Sequence, residues 1–296
     1  MRYLWTLLIV LSCSLAHAQD MPLSQVLIDG EGWQLVSEGH QFTEGPTCDK
    51  DGNVYFVDVP KSQIFKINAA DGKVALWAED VGKISGLKFG ADGRLYGAQG
   101  GKKAIVAIEL KADGTPGQQT PLVEGVEPND LVVTRENQVY FTDFSGKQVW
   151  FVDTKGNKRS VDTGIERPNG VILWPDQKTL VVADNAGPHL WTFRIEADGS
   201  LTHKAPYYTM RMVPGKRDSG GDGMTVDQAG RLYVASHAGL QVYDPTGRMS
   251  GVILKPQDKF LANVCFGGPK FDTLYVTCSD KVYKRQTKAA GVRYFE

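Results

Sequence analysis

Six oxygen-bearing side chains recur at one place in a repeated pattern: Glu44, Ser85, Asn129, Asn169, Asp222 and Asn263. The first five lie 11 residues before a Tyr or Leu in a short apolar run (Tyr55, Tyr96, Tyr140, Leu180, Tyr233), and Asn263 lies 12 before Tyr275. Two carboxylates and three amides, with no His or Cys among them, form a hard-oxygen donor set. Such a set suits Ca2+ first and Mg2+ or Mn2+ next, with Zn2+ still open. Carboxylates brought together without a cation repel each other, which also favours a metal. Asp222 stands out because "GGDGM" (220–224) surrounds it with glycines just ahead of a strand, where an acidic residue fits poorly. A lone Asp-Gly is ordinary turn chemistry, and one Asn can cap a strand end through its own backbone. Five carboxylate or amide side chains in six equivalent registers argue for a shared site instead.

The elements that would position them follow from the same repeat. Segments such as "EGPTCDKDGNVYFVD" (44–58), "NDLVVTRENQVYFTD" (129–143) and "DGMTVDQAGRLYVAS" (222–236) each join two short apolar runs through a polar turn. The markers are spaced by 41, 44, 40, 53 and 42 residues, and most units add two more alternating runs. Four short antiparallel strands per unit, six times over, predict an all-β six-bladed β-propeller with four-stranded blades around a central channel. A β-sandwich would leave the period unexplained. The aligned residues fall at the heads of the innermost strands, so they should converge at one channel mouth. "GWQLVSEG" (32–39) is expected to pair into the last blade and close the ring.

Other residues reach the same mouth. Asp58, Asp143 and Asp184 end the second strands and are expected to brace turns. His237, in the equivalent position of the fifth unit, is a candidate substrate contact, although a surface or hydrogen-bonded histidine is the favoured reading. Unit five is the longest, and its excess, "YYTMRMVPGKRDSGG" (207–221), directly precedes Asp222 as a lid or specificity loop would.

Bulk properties exclude other classes. "MRYLWTLLIVLSCSLAHAQD" (1–20) reads as a secretory signal peptide, with Arg2, an apolar run and Ala16-His17-Ala18 placing cleavage after Ala18. Residues 1–18 are then the leader and 19–296 a single propeller domain. The expected location is secreted or periplasmic, with no membrane attachment after cleavage; the residues before Cys13 make only a weak lipoprotein box. Loss of Arg2 takes the formal net charge from −1 to −2, which offers nothing to nucleic acid. Of Cys48, Cys265 and Cys278, the last two lie on consecutive predicted strands and could pair; buried free thiols are the favoured alternative. A monomer or small homo-oligomer is expected.

"EGP" (44–46), "PND" (128–130), "RPNG" (167–170), "GDGM" (221–224) and "NVCFGG" (263–268), in this order and spacing, resemble the gluconolactonase family. That family includes senescence marker protein, luciferin-regenerating enzyme and bacterial sugar lactonases. The resemblance runs from about Trp33 to Tyr283 and implies a six-bladed propeller with one catalytic divalent ion. It implies Glu44, Asn169 and Asp222 as protein ligands, Asp222 as acid/base, and Asn129 facing metal and substrate. Glu127 stands where animal members have Arg, and Ser85 where relatives often have Asn. The expected activity is therefore metal-dependent hydrolysis of a small-molecule lactone to its hydroxy acid. The metal would polarise the carbonyl and Asp222 would act as general base, or would only orient a metal-bound hydroxide. Glu127, Asn129, Asn263 and His237 are the expected substrate-binding residues, with Glu127 favouring neutral polyhydroxylated lactones over anionic ones. A phosphotriesterase-like hydrolase on the same site, as in the related diisopropyl fluorophosphatase and paraoxonase, is the second reading. A non-catalytic, calcium-stabilised ligand-binding propeller is the third.

Overall fold

The computed structural model describes residues 21–294; the predicted leader and its cleavage site lie outside them. Six four-stranded antiparallel sheets form the blades of a propeller. Their innermost strands are Thr43–Cys48, Ile84–Phe89, Leu131–Val133, Pro168–Leu173, Met224–Val226 and Leu261–Gly267. The apolar runs that set the period become buried second strands, and the marker tyrosines Tyr55, Tyr96, Tyr140 and Tyr233 are fully enclosed between blades. Burying such large rings is the main source of inter-blade cohesion, since each hides about 150–250 Å2 from water.

Ring closure follows the expected scheme. The N-terminal strand Gln34–Glu38 pairs antiparallel with Lys281–Gln286, from Gln34 opposite Lys284 to Glu38 opposite Lys281. The last blade is thus built from both ends of the chain, and Gln34–Glu38 covers the outer edge of Lys281–Gln286.

What brings the heads of the inner strands together is a column of glycines immediately after the ring residues. A Cβ on Gly170 would stand 2.0 Å from the Asp222 carbonyl oxygen, and one on Gly223 would stand 1.8 Å from Asn263 Cγ. Gly45 and Gly86 meet Ser85 O and Asp130 Oδ1 just as closely, at 2.6 and 2.5 Å. Only hydrogen fits between neighbouring blades here, so the preceding side chains are pushed towards one axis. The strand ladders are also irregular beside these residues, between Glu44 and Thr47, Ile84 and Gly86, Pro168 and Val171, and Leu261 and Asn263. Such bulges turn a side chain out of the regular alternation.

The far end of the channel is narrow. Thr47, Cys48, Lys88, Thr225 and Cys265 line a cavity of about 50 Å3 there, beneath Val292 and Tyr294. The Tyr294 hydroxyl donates to Leu173 O at 2.7 Å and holds the tail across the opening. Cys265 lies opposite Tyr275 and Cys278 opposite Leu261, several ladder positions apart. The three described cysteines are free thiols, so the pairing considered for Cys265 and Cys278 does not form.

Candidate active site

At the open end, Glu44, Asn169, Asp222 and Asn263 gather with their side chains almost wholly buried. Glu44 Oε2 accepts from the Gly45 amide at 2.9 Å and from Asn263 Nδ2 at 3.2 Å. Burial, reinforced by the nearby Asp130, pushes the Glu44 carboxyl up to about 8. Asp222 is held well above the usual carboxylate range by burial first, then by the negative charges of Glu44 and Asp130; a hydrogen bond from Asn169 opposes this. Two buried carboxylates in mutual repulsion are an arrangement that a cation would relieve.

Asn169 supplies a further sign. Its Oδ1 is fully enclosed yet accepts no hydrogen bond. An enclosed acceptor without a donor is costly unless something positive faces it. Among the described residues no three His, Cys, Asp or Glu side chains are grouped to hold an ion alone, so any set here must be completed by amide oxygen. The donors present, Glu44, Asp222 and the orphaned Asn169 oxygen, fit a hard divalent cation.

Asp130 belongs to this cluster and was not read from the sequence. It occupies the register that is glycine in four of the other units, directly after Asn129. Its carboxylate accepts from Leu131 N at 2.8 Å and Val171 N at 3.4 Å, bridging blades three and four. Burial raises its proton affinity, and Lys88 opposes that. The signal was available in "PND" (128–130), where the Asp stands beside the aligned Asn.

The remaining expected residues divide by position. Asn129 is half-buried and borders a shallow depression of about 400 Å3 with Glu127, Lys103 and Phe144. Ser85 donates its hydroxyl to Asn129 O at 2.6 Å, which ties blades two and three together where an Asn would project. Asn263 was expected to touch substrate, but its amide is engaged at both ends, on Glu44 and on the Val264 N–H at 2.8 Å. It braces a carboxylate. Glu127 does reach the mouth, where Lys103 Nζ lies 2.6 Å from it in an exposed pair that offsets part of its charge. His237 stands outside the buried cluster, with Nε2 donating to Asp218 at 2.7 Å.

The second-strand aspartates hold the surrounding loops. Asp58 accepts from the amides of Gln41 and Phe42, Asp143 from Gly146, and Asp184 from Arg167 and Ala186. The long unit-five insertion borders the same mouth. Gln241 grips the Arg211 main chain at 2.7 and 3.1 Å, and Ser219 bonds to the carbonyls of Asp184 and Asn185. Between these anchors residues 214–217 are exposed.

The model of the SMP-30/gluconolactonase/LRE-like region matches residues 42–280. The chain is 26% identical to a gluconolactonase of Zymomonas mobilis, covering 87% of this chain and 82% of the relative. Among solved structures it resembles a gluconolactonase of Xanthomonas campestris, with a TM-score of 0.75 at 23% identity over 90% of this chain and 92% of the other. It also resembles the calcium-binding protein regucalcin of Agrobacterium tumefaciens, with a TM-score of 0.72 at 18% identity over 89% and 98%.

Proposed function

The chain belongs to the SMP-30/gluconolactonase/LRE-like family, and from that premise we propose that it is a divalent-metal-dependent lactonase acting on a sugar lactone. It is a carboxylic-ester hydrolase, as the gluconolactonase relative supports. The observation that carries metal dependence is the enclosed Asn169 oxygen without a donor, set among carboxylates that burial and mutual repulsion disfavour in their charged form. The calcium named for the regucalcin neighbour makes Ca2+ the first ion to test.

Glu44, Asn169 and Asp222 would hold the ion, which when bound supplies Lewis-acid polarisation of the ester carbonyl. Asp222 accepts the proton of the attacking water, and the Asn169 amide that bonds it fixes the direction its carboxylate presents. Asn263 locks Glu44 in one rotamer, and Asn129 offers an amide to substrate hydroxyls.

The test is acid release from a panel of aldonolactones, with a phosphotriester included, with and without chelator. Chelation should abolish turnover and added Ca2+ should restore it. Glu44→Gln and Asp222→Asn should lower turnover roughly 100-fold or more while circular dichroism still reports a β fold. Full activity in metal-stripped protein would overturn the proposal. Export through the 1–18 leader belongs to the same reading and is checked by the mass of the mature protein, which should begin at Gln19.

A further inference from the structure

At the rim of the mouth, the chain holds one of its own carboxylates between two donors from neighbouring blades. Asp218, on the unit-five insertion, accepts from His237 Nε2 at 2.7 Å and faces Arg167 Nη1 at 3.8 Å. Arg167 lies two residues before Asn169, and Asp218 four before Asp222, so this pair borders two of the three candidate ligands. The guanidinium also donates to Asn185 Oδ1 at 3.3 Å and lies 5.9 Å from the centre of the Phe144 ring, a residue of the depression beside Asn129. An arc of side chains therefore runs from Asn129 through Phe144, Arg167 and Asp218 to His237.

Arg167 is poorly matched to its partner. A guanidinium offers five N–H groups in a planar fork suited to gripping a carboxylate through two parallel bonds. Here the Asp218 oxygen stays outside hydrogen-bond distance and the arginine side chain is 42% exposed. An ion pair with that much access to water contributes little and is readily exchanged. Asp218 also sits where the exposed arch 214–217 meets the anchored Ser219, so a small shift of the arch would withdraw it.

We infer that Arg167 and His237 form a carboxylate-binding subsite, filled by Asp218 in the absence of substrate, that selects lactones carrying a second, free carboxylate. A carboxylate is the ligand the subsite already displays. Glu127, on the same side of the mouth, lies 2.6 Å from Lys103, which offsets part of its charge towards such a substrate. The substrate class rests on the lactonase reading; the subsite does not, because anion binding is measurable without turnover.

Two lactones of one ring size test it: D-glucaro-1,4-lactone, which carries a carboxylate, and D-glucono-1,4-lactone, which carries a hydroxymethyl group there. Arg167→Gln should lower the ratio of kcat/KM for the anionic over the neutral lactone about tenfold, through KM. Asp218→Asn, which removes the internal competitor, should raise that ratio about tenfold. A merely loosened loop would move both variants in one direction, and that result, or shifts below about twofold, would overturn the inference. Calorimetric titration with D-glucarate keeps the two readings apart. If no form of the protein hydrolyses either lactone but Asp218→Asn binds glucarate more tightly and Arg167→Gln more weakly than wild type, the subsite stands and the lactonase reading falls. Equal affinities in all three would remove the subsite.

Discussion

Burial makes Glu44 and Asp222 reluctant to carry their charges, and this couples any bound cation to protons. With no metal present, the Glu44 carboxyl is raised from the usual glutamate value to about 8, chiefly by desolvation. A folded-state value above the unfolded one contributes stability that is complete below about pH 4.5 and is lost as pH rises through about 8. Metal-stripped protein should therefore melt at lower temperature at pH 9 than at pH 6, and Ca2+ should raise the melting temperature more at pH 9. A metal-stripped protein whose melting temperature is flat across this window would contradict the burial argument. By the same linkage, cation binding at pH 6–7 should release protons, visible as a buffer-dependent heat in titration calorimetry. Asp130 acts on the same charges from behind. It touches the backbone of blade four and adds negative potential at Glu44 and Asp222 without being a candidate ligand. Asp130→Asn should weaken divalent-ion affinity roughly 10–100-fold, the range found when a group supporting a ligand shell is changed. An unchanged dissociation constant would place Asp130 among merely structural residues.

The strands place these groups through close backbone approach, and that can be tested apart from chemistry. Gly170→Ala or Gly223→Ala puts a methyl about 2 Å from atoms of the neighbouring blade, so unfolding free energy should fall by about 3 kcal/mol or more. Gly72, at φ +71° in an open turn with nothing within 4 Å, should cost only about 1–2 kcal/mol on the same change. Chemical denaturation of the three variants checks the contrast. Much of this was legible in the sequence. The constant interval from Glu44 to Tyr55 and its repeats carries both the blade register and the buried cluster, because one residue per strand faces the axis. The interval does not report side-chain partners. Asn263 and Ser85 share the register but are engaged by Glu44 and by the Asn129 carbonyl, and hydrogen bonds between blades leave no periodic trace. Asp130 escaped because it lies one position off the aligned register, where strand alternation would send it away from the axis. Glu127 reaches the mouth as its place before Pro128 suggests, and the interval gave no sign of Lys103, 24 residues earlier in the chain, which pairs with it there.

Across the molecule, the ring is closed by a strand from the opposite end of the chain. Removing residues 34–38 would expose the full backbone edge of Lys281–Gln286 and break the Lys281–Glu38 ion pair at 2.7 Å. Protein beginning at Gly39 should melt markedly lower and associate with itself through that edge, as light scattering or sedimentation would register. A truncated form as stable and monodisperse as its parent would mean that the other three strands of the blade suffice.

The tail across the far end has a kinetic meaning. The cavity of about 50 Å3 beneath Tyr294 has room for a few waters, at ~10–15 Å3 each, rather than for a sugar. Among the described residues, the channel is then a well entered from the Asn129 side. Whatever enters must back out the way it came, and a departing hydroxy acid and an arriving lactone contend for the same threshold. Release and capture cannot overlap in time, and accumulated product should act as a strictly competitive inhibitor.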